Sequence, residues 1–83
     1  SMNYSVYVLQ SLKNGWLYIG MTTKDPRVRL NEHNLGKNKY TKLHSPYKLV
    51  YYEMNYFCGK CARAREKFLK SGIGRQLIRK IIE

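Results

Sequence analysis

The chain has 83 residues, with 16 Lys and Arg against 5 Asp and Glu, a formal charge of +11. A chain this short supports one modest core, so residues 1–83 are read as a single domain. Self-repulsion of this size calls for a polyanionic partner. Nucleic acid is therefore expected, and a membrane is not, because the apolar runs are only a few residues long and no signal peptide or spanning segment stands out. The protein is expected to be soluble and cytoplasmic.

Ser1 before Met2 reads as the remnant of a removed tag and is set aside. From Asn3 to Gln10 residues alternate, with Tyr4, Val6 and Val8 on one face and Ser5, Tyr7 and Leu9 on the other, the period of a strand. A second strand is predicted from Trp16 to Met21. Lys13-Asn14-Gly15 between them carries the Asn-Gly signal of a tight reversal, so the two strands form an antiparallel hairpin with Tyr7 and Tyr18 on neighbouring strands.

Asp25-Pro26 is a helix start, the carboxylate capping free N–H groups and proline filling a position that needs no N–H. Gly36 is its predicted stop. Arg29 and His33, four apart, share a face, whereas Val28, Leu30 and Leu35 supply only a thin apolar stripe, so something besides core packing must hold this helix. Gly36 to Lys48 is polar and basic, an exposed loop or short helix that includes Lys37, Lys39, Lys42 and His44. His44 is read as a surface residue. A third strand is predicted from Tyr47 to Met54. From Lys60 to Ser71 the residues Cys61, Ala64, Phe68 and Leu69 recur at helical spacing, and Gly72 is expected to end that helix in the left-handed conformation. Gly74 opens a last helix with Leu77, Ile78, Ile81 and Ile82 on one stripe. This order predicts an α/β (α+β) fold, a small three-stranded, mainly antiparallel sheet flanked by helices.

If the polyanion is a substrate, hydrolysing its phosphodiester needs a placed water, a proton acceptor and positive charge around the reacting phosphate. Two-metal sites use carboxylate clusters, and only Asp25, Glu32, Glu53, Glu66 and Glu83 are on offer. With Asp25 assigned to capping and Glu83 at the terminus, the acid count favours one metal. Glu66, among Arg63, Arg65 and Lys67, is the candidate ligand; otherwise it forms an ordinary helix ion pair. Cys58-Gly59-Lys60-Cys61 at a helix start raises a redox or zinc role, but no second Cys pair completes a zinc site. Two reduced thiols, one of them partly buried, are expected.

Ser5-Val6-Tyr7 and Tyr18-Ile19-Gly20, with the two tyrosines separated by ten residues, resemble the paired motifs of the GIY-YIG nuclease superfamily, and small stand-alone members in particular. Asp25, Arg29, His33 and Asn34 follow at the family's spacing, and Glu66 in Ala64-Arg65-Glu66-Lys67-Phe68-Leu69-Lys70-Ser71-Gly72 matches its metal-site glutamate. The first motif has Ser5-Val6 in place of Gly-Ile, and Met21 stands where many members carry a polar, basic or aromatic residue. The resemblance implies a metal-dependent DNA endonuclease, structure-specific in DNA repair or recombination. In it Tyr7 and Tyr18 orient or deprotonate water, Arg29 stabilises transition-state charge, His33 positions or assists, and Glu66 holds one Mg²⁺ or Mn²⁺. Which tyrosine is the base stays open. Phosphate contacts are expected from Arg27, Lys37, Lys39, Lys42, Arg63, Arg65, Lys67 and Lys70. DNA is the expected partner, with RNA also open, and a protein that targets the nuclease is a further expected partner. The alternatives are a non-catalytic basic nucleic-acid-binding module and a nuclease subunit dependent on such a partner.

Overall fold

The computed structural model describes residues 3–83; the reading of Ser1 as a tag remnant lies outside them. Strands β1 (Tyr4–Ser11), β2 (Leu17–Thr22) and β3 (Tyr47–Tyr56) form one sheet in the order β2-β1-β3, with both pairings antiparallel. Helices α1 (Pro26–Asn34) and α2 (Lys39–Lys42) separate β2 from β3, and α3 (Gly59–Lys70) and α4 (Gly72–Ile82) follow. This is the expected α+β sandwich.

The central strand β1 is buried on both faces, and its alternation feeds two cores. Val6 and Val8 join Leu17 and Ile19 of β2 against Ala62, Leu69 and Ile78 of the last two helices. Tyr7 and Leu9 pack on the other face with Tyr47, Tyr18, Trp16 and Leu30. The hairpin closes as predicted: Asn14 Oδ1 accepts from the Trp16 amide at 3.0 Å, and Ser11 Oγ accepts from the amides of Lys13 and Asn14. The same hydroxyl donates to the His44 carbonyl at 2.6 Å, tying the turn to the basic segment.

Helix α1 starts as expected, with Asp25 accepting from the Arg27 amide and Pro26 in the first turn. Its apolar stripe does little, since Val28 and Leu35 are exposed. Polar bonds hold it instead. His33 is fully buried, and the Asn34 amide brackets the Tyr47 backbone, donating to the carbonyl at 3.0 Å and accepting from the N–H at 2.7 Å. Gly36 stops the segment at φ 76°.

The third and fourth helices correct four expectations. Helix α3 turns Ala62, Glu66 and Leu69 inward, while Cys61, Ala64 and Phe68 face out, so the apolar spacing gives the wrong helical phase. Gly72 does not end α3 in a left-handed turn. Ser71 (φ −69°, ψ 167°) closes α3 and caps α4, its Oγ accepting from the Gly74 amide at 3.2 Å, so α4 begins two residues before the predicted Gly74. Gly74 instead permits the helices to touch: a Cβ there would lie 2.1 Å from the Phe68 carbonyl oxygen. Of the α4 stripe, Ile78 is buried and Ile82 half-buried, but Leu77 and Ile81 stay exposed. Among the described residues no helix is long and apolar enough to cross a membrane.

Candidate active site

Tyr7 and Tyr18 project from the α1 face of the hairpin, offset by one pleat because Tyr7 pairs with Gly20 and Leu9 with Tyr18. Their ring centroids are 6.2 Å apart. The offset depends on Gly20, where a Cβ would stand 2.6 Å from the Tyr7 oxygen and 3.0 Å from Tyr18 Cε2. The glycine of the second motif is therefore the floor on which the first motif's phenol rests.

Helix α1 brings His33 and Arg29 over this floor. The Tyr7 oxygen is 2.9 Å from His33 Nε2, and His33 Nδ1 is 2.7 Å from Thr41 Oγ1. Burial, reinforced by the nearby Arg29 charge, pushes the His33 pKa down to about 4, so the ring is neutral at physiological pH. Thr41 directs its hydroxyl hydrogen to the Asn38 carbonyl and so accepts from Nδ1–H. Nε2 is left as an acceptor, and Tyr7 donates to it. Burial also raises the Tyr7 pKa well above the ordinary phenol value, as does neighbouring Tyr18, with Arg29 opposing. Tyr18 is half-buried and its pKa is raised by burial and, against the pull of Arg29, by the Glu66 carboxylate. Tyr7 is 1% exposed, so of the two phenols Tyr18 is the one open to solvent.

The acids sort themselves by partner. Asp25 pairs with Arg27; Glu32 pairs with Arg29 Nη1 at 3.0 Å and with Lys24. Glu53 is gripped by Arg65 Nε and Nη2 at 2.9 and 2.8 Å and by the hydroxyls of Tyr51 and Tyr56. Burial would raise the Glu53 pKa, but these bonds outweigh it and hold the carboxyl at about 2. Glu66 differs. It is 9% exposed and, among the described residues, pairs only with Lys70 at 3.4 Å and Arg63 at 3.5 Å, both long contacts. A carboxylate this loosely paired fits a divalent ion that keeps most of its shell as water and phosphate oxygens, and no cluster of three metal-ligating side chains occurs among the described residues.

A cleft of about 160 Å³ lies along the outer edge of β2, lined by Trp16, Tyr18 and Tyr40 on one side and by Lys70 and Arg75 on the other. A larger groove, lined by Tyr4, Met21, Lys60, Arg63 and Lys67, involves Tyr4 and Met21, which pack with the core on the opposite face from Tyr7. The β2 cleft is the one that Tyr18 lines.

The family model for the GIY-YIG catalytic domain matches residues 3–77. The chain belongs to this family. A UPF0213 protein of Staphylococcus haemolyticus is 39% identical over 79 residues, covering 94% of this chain and 92% of that one. UPF0213 proteins from two strains of Streptococcus agalactiae are each 51% identical over 49 residues, 58% of this chain; the match spans about half of their own length. This is a family of nucleases, and the three-stranded sheet with flanking helices is consistent with its domain.

The GIY-YIG residues named from sequence are not all placed alike. Tyr7, Tyr18, Arg29 and His33 form one cluster, with Glu66 near enough to act on Tyr18. Lys37, Lys39, Lys42 and Lys67 are exposed and form no ion pair among the described residues, while Arg63 and Lys70 flank Glu66. Arg27 is exposed but paired with Asp25, and Arg65 is held by Glu53 rather than turned to the surface. Met21 accepts from Arg63 Nε at 3.4 Å, which steers that guanidinium beside Glu66. Both thiols are free, but neither is partly buried as expected: Cys58 caps α3 and Cys61 faces outward, the buried position being Ala62. Sequence reasoning missed Thr41, Trp16, Tyr40 and Arg75. Asn38, a capping residue type inside the basic stretch, was the available signal for α2 and hence for Thr41.

Proposed function

We propose that residues 1–83 act as a single metal-dependent DNA endonuclease domain, hydrolysing a phosphodiester with one Mg²⁺ or Mn²⁺, and structure-specific in DNA repair or recombination. The observation that carries the reading is the meeting of Tyr7, Tyr18, Arg29 and His33 over Gly20, beside a cleft lined by Tyr18 and Lys70, with Glu66 next to Lys70 and held only by long ion pairs. In this reading Glu66 holds the ion, which would polarise a phosphate oxygen and lower the pKa of water. Arg29, steadied at one nitrogen by Glu32, turns its remaining N–H groups to the non-bridging oxygens, where its fixed charge and planar fork suit the transition state. Tyr18, the accessible phenol, meets the attacking water. Water oxygen bonds to phosphorus as the bond to the ester oxygen breaks; the water proton goes to the Tyr18 oxygen, which the ion and Arg29 would have to hold as phenolate, and the departing oxygen takes a proton from solvent. Tyr7 and neutral His33 orient Tyr18 from behind.

The raised pKa values of both phenols favour a second reading, a basic nucleic-acid-binding module that does not cut. One experiment separates the two: incubation of branched, flap, nicked and plain labelled DNA with the protein in Mg²⁺ or Mn²⁺, beside Arg29→Ala and Glu66→Ala. Metal-dependent cutting lost in both variants, with binding and melting temperature kept, is the expected result. Absence of cutting on every substrate would select the binding module, and unchanged cutting by both variants would remove the assigned site. Dependence on a targeting partner would show as cutting only in its presence.

A further inference from the structure

On the aromatic side of the β2 cleft Trp16 and Tyr18 pack against the second core, but the exposed Tyr40 braced on them serves neither that core nor the cutting chemistry. Trp16, the single tryptophan of the chain, is two residues before Tyr18 and on the same face, with ring centroids 6.3 Å apart. His44 stacks on Trp16 at 4.3 Å and 28°, and is itself fixed by Asn14 at 2.9 Å. Tyr40 meets Trp16 edge-on at 6.0 Å and lies 6.3 Å from Tyr18, yet it is 69% exposed. An exposed ring braced against a tryptophan that is backed by a histidine is a surface awaiting a planar partner. The surroundings say which charge that partner carries. Lys39 and Lys42 flank Tyr40 on α2, and Lys70 and Arg75 face it across the cleft, Arg75 being anchored by its bonds to the Lys70 carbonyl at 3.1 Å and the Leu17 carbonyl at 3.4 Å. Among the described residues no acid lines the cleft.

We propose that this cleft seats one unpaired nucleobase, stacked on the rim formed by Trp16 and Tyr40 with its phosphate toward Lys70 and Arg75, so that the substrate carries a single-stranded nucleotide beside the scissile bond. The proposal rests on the nuclease reading for its place next to the cut, and on the aromatic rim for the ligand. A base inside a duplex has both faces covered by its neighbours, so only a flap, gap, end or single strand can offer one.

The test reads Trp16 fluorescence directly, with EDTA present so that nothing is cut. The full chain is titrated with a short oligothymidylate, the matching oligouridylate, a blunt duplex of equal length, and two polyanions without bases, polyphosphate and polyglutamate. Saturable quenching by the single strands, with little from the duplex or the polyanions, is expected; quenching by either strand supports the proposal, and the one that saturates at lower concentration assigns the sugar. Tyr40→Ala, an exposed change that leaves the core alone, should weaken single-strand binding on the order of tenfold in fluorescence anisotropy. Tyr40→Phe, which keeps the ring, should not, and duplex binding should hold in both. Equal quenching by a polyanion, absent quenching, or unaltered single-strand affinity in Tyr40→Ala overturns the proposal. Quenching without any metal-dependent cutting would sink the nuclease reading alone, and cutting without quenching would sink only this one.

Discussion

A Cβ on Gly20 would stand 2.6 Å from the Tyr7 hydroxyl oxygen and 2.7 Å from its Cζ, closer than non-bonded atoms allow. Tyr7 cannot swing aside freely, because it is 1% exposed and hydrogen-bonded to His33. Gly20→Ala should therefore push the phenol off Nε2. Overpacking of this kind costs about 1–3 kcal/mol, enough to lower the melting temperature of a domain this small by on the order of 10 °C. Cleavage should fall with it. Calorimetry and single-turnover cleavage on one preparation check both, and a variant as stable and active as the parent would show that the contact is easily relieved.

The two phenols should separate under Phe substitution. Tyr7→Phe leaves the buried Nε2 of His33 without its donor, a loss of about 1–3 kcal/mol, and should impair folding stability as well as rate. Tyr18→Phe removes a more accessible hydroxyl, so the melting temperature should hardly move while cleavage drops a hundredfold or more. Equal thermal loss in both variants, or full activity of Tyr18→Phe, would contradict the division of labour.

His33 sets an acid limb of stability. Its folded pKa is depressed to about 4 from an ordinary 6.5, so between those values the unfolded chain binds a proton that the folded chain refuses. Stability from this group is complete above pH 6.5 and is lost as pH falls toward 4, by about 3 kcal/mol in total. Glu53, held at about 2, acts in the next window, its contribution being lost from about pH 4.5 downward. Chemical denaturation from pH 8 to 4 should show the first limb, and His33→Gln should flatten it relative to the parent. An identical slope in the variant would place the proton elsewhere.

Arg65 and Lys67, two residues apart on α3, should behave oppositely. Arg65 ties α3 to β3 through Glu53, so Arg65→Ala should cost about 1–3 kcal/mol of stability through the partly buried carboxylate left behind, and leave the salt dependence of DNA binding alone. Lys67 is exposed and has no ion pair among the described residues, so Lys67→Ala should leave melting unchanged and reduce the slope of log affinity against log salt by about 1. Salt titrations of both variants decide this; a reduced slope for Arg65→Ala would return it to the phosphate surface.

Local rules made much of this protein legible from its residues. The two-residue alternation, the Asn-Gly turn and the Asp-Pro cap each act over a few neighbours, and they predicted the hairpin, α1 and the three-stranded sheet. Motif spacing then put Tyr7, Tyr18, Arg29, His33 and Glu66 on one candidate site. What the tertiary structure decided is how these groups face one another. The inward phase of α3 escaped the apolar pattern because Glu66, a carboxylate, occupies the buried stripe while Cys61 and Phe68 face solvent. Arg65 looked like any surface cation until β3 brought Glu53 beneath it. The tautomer of His33 depends on Thr41, and the cleft unites Trp16, Tyr40 and Arg75, which lie on separate elements. Periodicity reports which face of its own element a residue occupies, whereas charge state, hydrogen-bond direction and the shape of a cleft depend on what the rest of the chain packs against that face.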